Sequence, residues 1–242
     1  MGILSNVKTD KAIKPQSDYM GGYGTLETGL YDFTIEMMYV DESVGGAAAV
    51  HFDFVSQQNE RFSTIQYVTG GRAKKQRNYY MDKDNKKQYL PGFNLVNNLC
   101  QLALGKDLSE IDEVIKTLEL YDFKTRSKVA QKKEVLEEMN GQSITIGIIK
   151  QIVNKSVKND DGSYSKINDT KEENVIGKIF QADTGLTKSE LDDEVTEPDT
   201  KAKWDKTNTG KTKDKSVVVK SGGAKKTVAT KVEEDVPDLF DE

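Results

Sequence analysis

Residues 61–90 set eight cationic side chains, Arg61, Arg72, Lys74, Lys75, Arg77, Lys83, Lys86 and Lys87, against two acids, Asp82 and Asp84. Threaded among them are Phe62, Tyr67, Tyr79, Tyr80 and Tyr89. Cations neutralise phosphates and release counterions, and aromatic rings stack on unpaired bases for about 1 to 3 kcal/mol each. Base faces are open only when strands are apart, so this mixture points to single-stranded nucleic acid. A second basic run, Lys124, Arg126, Lys128, Lys132 and Lys133, lies further along the chain.

Other chemistries lack their residues. One histidine, His51, and one cysteine, Cys100, cannot assemble a zinc site of the usual kinds, and a single cysteine forms no intramolecular disulfide. In "GGYGTLETG" (21–29), Glu27 stands where a dinucleotide fingerprint needs its third glycine, and "TGGRAKK" lacks Walker A spacing. "DKDNKK" (82–87) opens like a calcium loop, but Lys87 replaces the glycine and no acid closes it. Neither a metal nor a cofactor is expected, and the reading is of a binding protein rather than an enzyme.

The elements that must position the basic clusters are mostly strands. In "GLYDFTIEMMYV" (29–40), Tyr31, Phe33, Ile35, Met37 and Tyr39 alternate with polar residues, the period of a half-buried strand. "AAAVHFDFVS" (47–56) alternates again, with Val50, Phe52 and Phe54 inward and His51 outward, and "RFSTIQYVT" follows as a third strand. Tyr79, Tyr80 and Tyr89 around "DKDN" predict a small hairpin with its tip near Asp84 and Asn85. From Phe93 to Leu104 the spacing of Leu95, Leu99 and Leu102 predicts a helix closed by Gly105. Residues 109–116 read as a short helix capped by Ser109, and 117–126 and 143–153 as strands. Residues 127–142 fit a helix or a loop containing one strand, and Thr187 with Glu190 has capping-box spacing. Three meandering strands, a helix and a closing pair is the element order of the OB-fold, whose loop between the last two strands borders the face of the second and third.

Charge and composition divide the chain. Its net charge is -5, and the C-terminal part is poor in apolar residues. From Gly185 onward too little apolar surface is available to offset conformational entropy, and disorder is expected. The chain ends "VEEDVPDLFDE", with six carboxylates around Leu239 and Phe240, behind a lysine-rich stretch. No apolar run is long enough to span a membrane and no signal-peptide pattern opens the chain, so a soluble, reducing compartment is expected.

The stretches "GLYDFTIEMMYVDESVGGAAAVHFDF", "YLPGFNLVNNLCQLALGK" and "DVPDLFDE" resemble single-stranded-DNA-binding proteins of tailed bacteriophages, and more loosely of bacteria. The tip departs from the bacterial pattern, since Asp241 and Glu242 follow Phe240. The resemblance implies a mainly β, OB-fold-like antiparallel barrel with one main helix and a disordered C-terminal tail. Its parts would be a flexible arm (1–18), a binding domain (19–185), a lysine-rich linker (186–231) and an acidic tip (232–242). Arg61, Arg72, Lys74, Lys75, Arg77, Tyr79, Tyr80, Lys86, Lys87, Tyr89, Lys124, Arg126 and Lys128 would meet single-stranded DNA. Asp235, Asp238, Leu239, Phe240, Asp241 and Glu242 would recruit replication and recombination proteins and compete with DNA for the basic groove. A linker of about 45 residues gives the tip a mean reach on the order of 35 to 40 Å. The implied role is protection of unpaired DNA during phage replication, recombination and repair in the host cytoplasm, with annealing or recombination mediation, or a small nuclease, as the other readings.

Overall fold

The computed structural model describes residues 24–122, 125–159 and 163–219. The expected arm (1–18) and acidic tip (232–242) lie outside them. The fold is mainly antiparallel β. The three expected strands are β1 (Gly29–Glu42), β2 (Ala48–Ser56) and β3 (Arg61–Tyr67), paired in order. A separate two-stranded ribbon, β4 (Tyr79–Met81) and β5 (Lys87–Tyr89), is the predicted hairpin, with Asn85 at φ 62° in its turn. Helix α1 (Pro91–Leu104) starts on a proline, where a missing N–H costs nothing, and ends on Gly105 in the left-handed region.

Beyond α1 the chain departs from expectation. A single 3-10 turn at Leu108–Glu110, boxed by Asp107, replaces the short helix over 109–116. Strand β6 (Glu113–Asp122) then pairs with β7 (Ser127–Leu136), settling residues 127–142 as a strand followed by a 3-10 turn at Glu137–Met139. Strand β8 (Ser143–Lys158) extends the predicted strand and turns back into β9 (Tyr164–Gln181), which the sequence reading did not contain. Much of β9 is exposed and charged, so it lacks the alternation that marks a half-buried strand.

Strand β1 organises the sheet. One edge pairs with β2 from Phe33 to Glu42; the other pairs with β8 from Gly29 to Thr34 and with β7 at Tyr39 and Val40. A bulge between Ile35 and Met37 marks the hand-over. The turn before β8 fills it: Ile35 N–H donates to Gln142 O (2.9 Å), Gly141 N–H to Ile35 O (2.8 Å) and Met38 N–H to Asn140 Oδ1 (3.1 Å). The extra residue inverts the alternation, so Met38 rather than Met37 enters the core and Tyr39 moves to the opposite face.

The core joins Phe33, Ile35 and Met38 to Val50, Phe52 and Phe54, to Phe62, to Val96, Leu99, Cys100 and Leu102 of α1, and to Ile144, Ile146 and Ile148. Phe54 stacks on Phe62 at 5.9 Å. The sheet is not closed into the barrel expected: β3 ends it, and no β3–β8 pair forms among the described residues. Helix α1 packs against β3, β8 and β9, filling the side where a closing pair would lie. Its start touches the β3 backbone so closely that a Cβ at Gly92 would stand 2.2 Å from Tyr67 O.

The linker expected over 186–231 is ordered structure over 186–219. Helix α2 (Lys188–Asp192) begins with the predicted capping box of Thr187 and Glu190, followed by α3 (Asp199–Asn208) and β10 (Lys213–Asp214). Few apolar residues suffice because the sheet supplies the rest of the packing. Leu186 is buried, and Trp204 lies flat on β8, where a Cβ at Gly147 would come within 2.7 Å of the indole. The buried Glu190 carboxylate accepts Thr187 N–H (2.8 Å), Thr187 Oγ1–H (2.9 Å) and Thr200 N–H (2.9 Å). Burial alone would raise its pKa, but these donors bring it down to about 2.

Candidate nucleic-acid interface

Loop 70–78, which carries the first basic cluster, is fastened to the β1–β2 turn. Arg72 N–H donates to Gly45 O (2.8 Å), Gln76 Nε2–H to Gly46 O (2.8 Å), and the Arg72 guanidinium pairs with Glu42 at the end of β1. Lys74 and Lys75 stand exposed on this loop, Lys75 at φ 55°. The second cluster reaches the same end of β1 from the other edge, since Lys133 Nζ bonds Asp41 Oδ2 at 2.6 Å. Beside the Lys133–Asp41 pair runs a groove of about 450 Å³ lined by Asp41, Glu42, Ile115, Lys132, Lys133 and Glu134, among others.

Beside that groove, three neighbouring strands carry a row of side chains on the face away from the core. Tyr39 pairs with His51 and His51 with Ile65, while Asp41, Ala49 and Tyr67 form the next row. Tyr39 and His51 stack at 4.5 Å and 14°, with Tyr39 Oη and His51 Nδ1 3.1 Å apart. Ile65 is 49% exposed. Burial holds the His51 pKa below its ordinary value, with Asp41 acting upward and Lys133 downward. Burial, with Asp53 and Asp41 adding to it, pushes Tyr39 up to about 12, so both rings are neutral near pH 7. His51, expected to face solvent, is thus half-buried in a ring stack.

The predicted residues do not all share one surface. Tyr79 lies opposite Tyr89 on the β4–β5 ribbon, and Tyr80 opposite Gln88, so Tyr80 faces the other way. Lys87 Nζ stands 4.8 Å and Arg77 Cζ 5.6 Å from the Tyr79 ring centre, cation–π contacts that group charge and aromatic surface. Tyr89 packs against Phe93 at 4.9 Å and is 57% exposed; Tyr80 is 49% exposed. Asp82 shapes the tip by accepting Asp84 N–H (2.9 Å), Lys86 N–H (2.8 Å) and Gln88 Nε2–H (3.0 Å), leaving Lys83 and Lys86 outward.

Arg61 stands apart. It begins β3, about 20 Å along the strand from Tyr67 at a normal rise per residue, and its guanidinium holds Glu36 through two bonds of 2.5 and 3.1 Å. Arg126, at φ 53°, and Lys128 are exposed at the far end of the β6–β7 hairpin, where Lys128 lies opposite the exposed Tyr121. Lys124 and the tip residues Asp235, Asp238, Leu239, Phe240, Asp241 and Glu242 lie outside the described residues.

Tyr39, His51 and Ile65 escaped the sequence reading. Uninterrupted alternation sent Tyr39 inward, and no local signal reveals a bulge whose partners, Asn140 and Gln142, are a hundred residues away. Cys100 offers no competing chemistry, because burial, aided by Asp107, raises its thiol to about 12. No described helix is long and apolar enough to cross a membrane. No protein-family model matches the chain, and no curated protein sequence matches it.

Proposed function

We propose that this protein binds single-stranded DNA with little regard to sequence, protecting it during phage replication, recombination and repair. The observation that carries the reading is the convergence of the two basic clusters through Arg72 and Lys133, 61 residues apart in sequence, on the end of β1 beside the Tyr39–His51–Ile65 row. Phosphates would meet Lys74, Lys75, Lys86, Lys87 and Lys128, and bases the flanking rings. The core reads as a relative of the OB-fold. Support comes from a long first strand that divides one edge between two later strands, and from a helix following the third strand. The resemblance to phage single-stranded-DNA-binding proteins supports the same role. By that resemblance the chain acts in the host cytoplasm, does not catalyse a reaction, and recruits replication and recombination enzymes through Asp235 to Glu242.

Titrating the full chain with labelled single-stranded and duplex oligonucleotides over a range of salt tests this. Tighter binding to the single strand, weakening steeply with salt, is expected. Equal affinity for both forms at matched salt refutes base stacking, and no binding of either at low salt refutes the reading altogether.

A further inference from the structure

The outer part of the β8–β9 hairpin carries a device that the nucleic-acid reading does not use. There β10 runs parallel to β8, with Lys213 opposite Gln151 and Asp214 opposite Ile152, and Lys215 N–H donates to Ile152 O at 2.9 Å. Past Lys215, side-chain amides take over from the ladder. Asn154 Oδ1 accepts Val217 N–H at 2.7 Å while its Nδ2 donates to Val217 O at 2.9 Å and to Ile167 O at 2.8 Å. Asn168 repeats the arrangement on Val219, accepting its N–H at 2.7 Å and donating to its O at 3.1 Å.

Residues two apart on an extended chain face the same way, so the two amides engage alternate main-chain pairs. The side chains of the held segment take little part: Val218 is 86% exposed and Val217 57%. Asn154, by contrast, is 7% exposed and preset by its bond to β9. One acceptor of the strip goes unused, since the buried Gln151 Oε1 has no donor among the described residues.

We propose that this strip is a sequence-tolerant docking site for an extended peptide. It is occupied here by residues 213–219 of the chain itself, and an extended segment of a protein partner takes it by displacing them. Apart from the turn that Asp214 makes with Ser216, the contacts are ones that any extended peptide without proline at the two read positions can make. The resident segment holds the site because its tether gives it a high effective concentration. The inference does not depend on nucleic-acid binding.

The test uses the full chain carrying Val217→Pro and Val219→Pro, which removes both N–H groups that the asparagines accept. A labelled synthetic peptide, KDKSVVV, is the probe, read by fluorescence anisotropy. The variant should bind it at least ~10-fold more tightly than the unaltered chain does, since the tethered segment keeps only its hold on β8 through Lys213 to Lys215 and competes less well. A scrambled peptide should bind comparably and one N-methylated at the two read valines should not. Failure of the variant to bind, or equal binding of the N-methylated peptide, overturns the proposal. A doubled mass of the unaltered chain, with the segment exchanged between copies, overturns the assignment of residues 213–219 to their own site. Should the proline variant not fold, Asn168→Ala serves, because that side chain is exposed. Faster amide exchange over 213–219 with unchanged exchange in β8 and β9 is expected, and unaltered exchange at Val219 overturns the clamp.

Discussion

The salt dependence of binding separates the cations that the structure leaves outward from those it already pairs. Among the described residues Lys74, Lys75, Lys86, Lys87 and Lys128 form no ion pair, whereas Arg61 is bound twice by Glu36 and Arg72 pairs with Glu42. If those five lysines each meet a phosphate, the log–log slope of affinity against salt is about -3.5 for a single strand, at roughly -0.7 per contact. Between about 50 and 200 mM salt that slope lowers affinity on the order of 100-fold. Replacing Lys74 and Lys75 together by alanine should flatten the slope by about 1.4. Arg61→Ala should leave it unchanged, since that cation releases few counterions on binding and sits at the far end of β3. Anisotropy titrations at five salt concentrations measure both variants against the unaltered chain. If Arg61→Ala flattens the slope as much as the double lysine variant does, the path of the nucleic acid has been placed at the wrong end of the sheet.

Tyr89→Ala should weaken single-strand binding by about 1 to 3 kcal/mol if its ring stacks on a base, whereas Tyr80→Ala, on the opposite ribbon face, should change it little; the reverse result would put the strand on the other side of the ribbon. The folded-state pKa of Glu190 is held down at about 2 against the ordinary 4.5, so its contribution to stability is complete above about 4.5 and is lost as pH falls towards 2. Glu190→Gln should therefore remove part of the fall in melting temperature over that window, and an identical fall in both proteins would show that the carboxylate is not linked to folding. Deleting residues 232–242 should raise affinity for single-stranded DNA most at low salt if the acidic tip competes for the basic face. Phe240→Ala, which keeps every carboxylate, should leave DNA affinity intact and reduce capture of a replication enzyme in a pull-down. No change on deletion rules out competition.

What the sequence made legible is what local chemistry determines. Helix α1 was readable because Pro91, the leucine spacing and Gly105 each act within a turn or two. The β4–β5 ribbon was readable because its turn residues and flanking tyrosines are contiguous, and the Thr187–Glu190 box because its two bonds lie within four residues. Strand β9 and the order of residues 186–219 were not readable, because both depend on partners far away. The outer half of β9 exists by pairing with β8, and α3 by setting Trp204 on a glycine 57 residues earlier. The candidate site divides in the same way. Its lysines and the ribbon tyrosines stand out in the sequence, while the Tyr39–His51–Ile65 row requires both the bulge and the register of three strands.

The same ordering changes how the acidic tip relates to the basic face. A linker free from residue 186 would let residues 232–242 wander over the whole core, but the amides of Asn154 and Asn168 hold the chain as far as Val219. From there to Glu233 the chain can span at most about 50 Å, at 3.3 to 3.6 Å per residue. The path back is long: from Asn154 along β8 to Ile148, which pairs with Gly29, and then the length of β1 to Glu42. At a strand rise of about 3.3 Å per residue this is on the order of 60 Å, less whatever the curvature of the sheet takes away. While residues 213–219 stay docked, the first acids of the tip therefore meet their own molecule's basic end only when the intervening chain is close to its full extension. If the tip competes with DNA at that end, as the proposed function implies, that competition is then easier between neighbouring molecules. Releasing 213–219 adds up to about 25 Å of chain, at 3.3 to 3.6 Å per residue, enough to bring the tip within range of its own face. The strip on the β8–β9 hairpin thus sets the length of the tether, and a peptide that displaces the resident segment would change which basic face the acidic tip can reach.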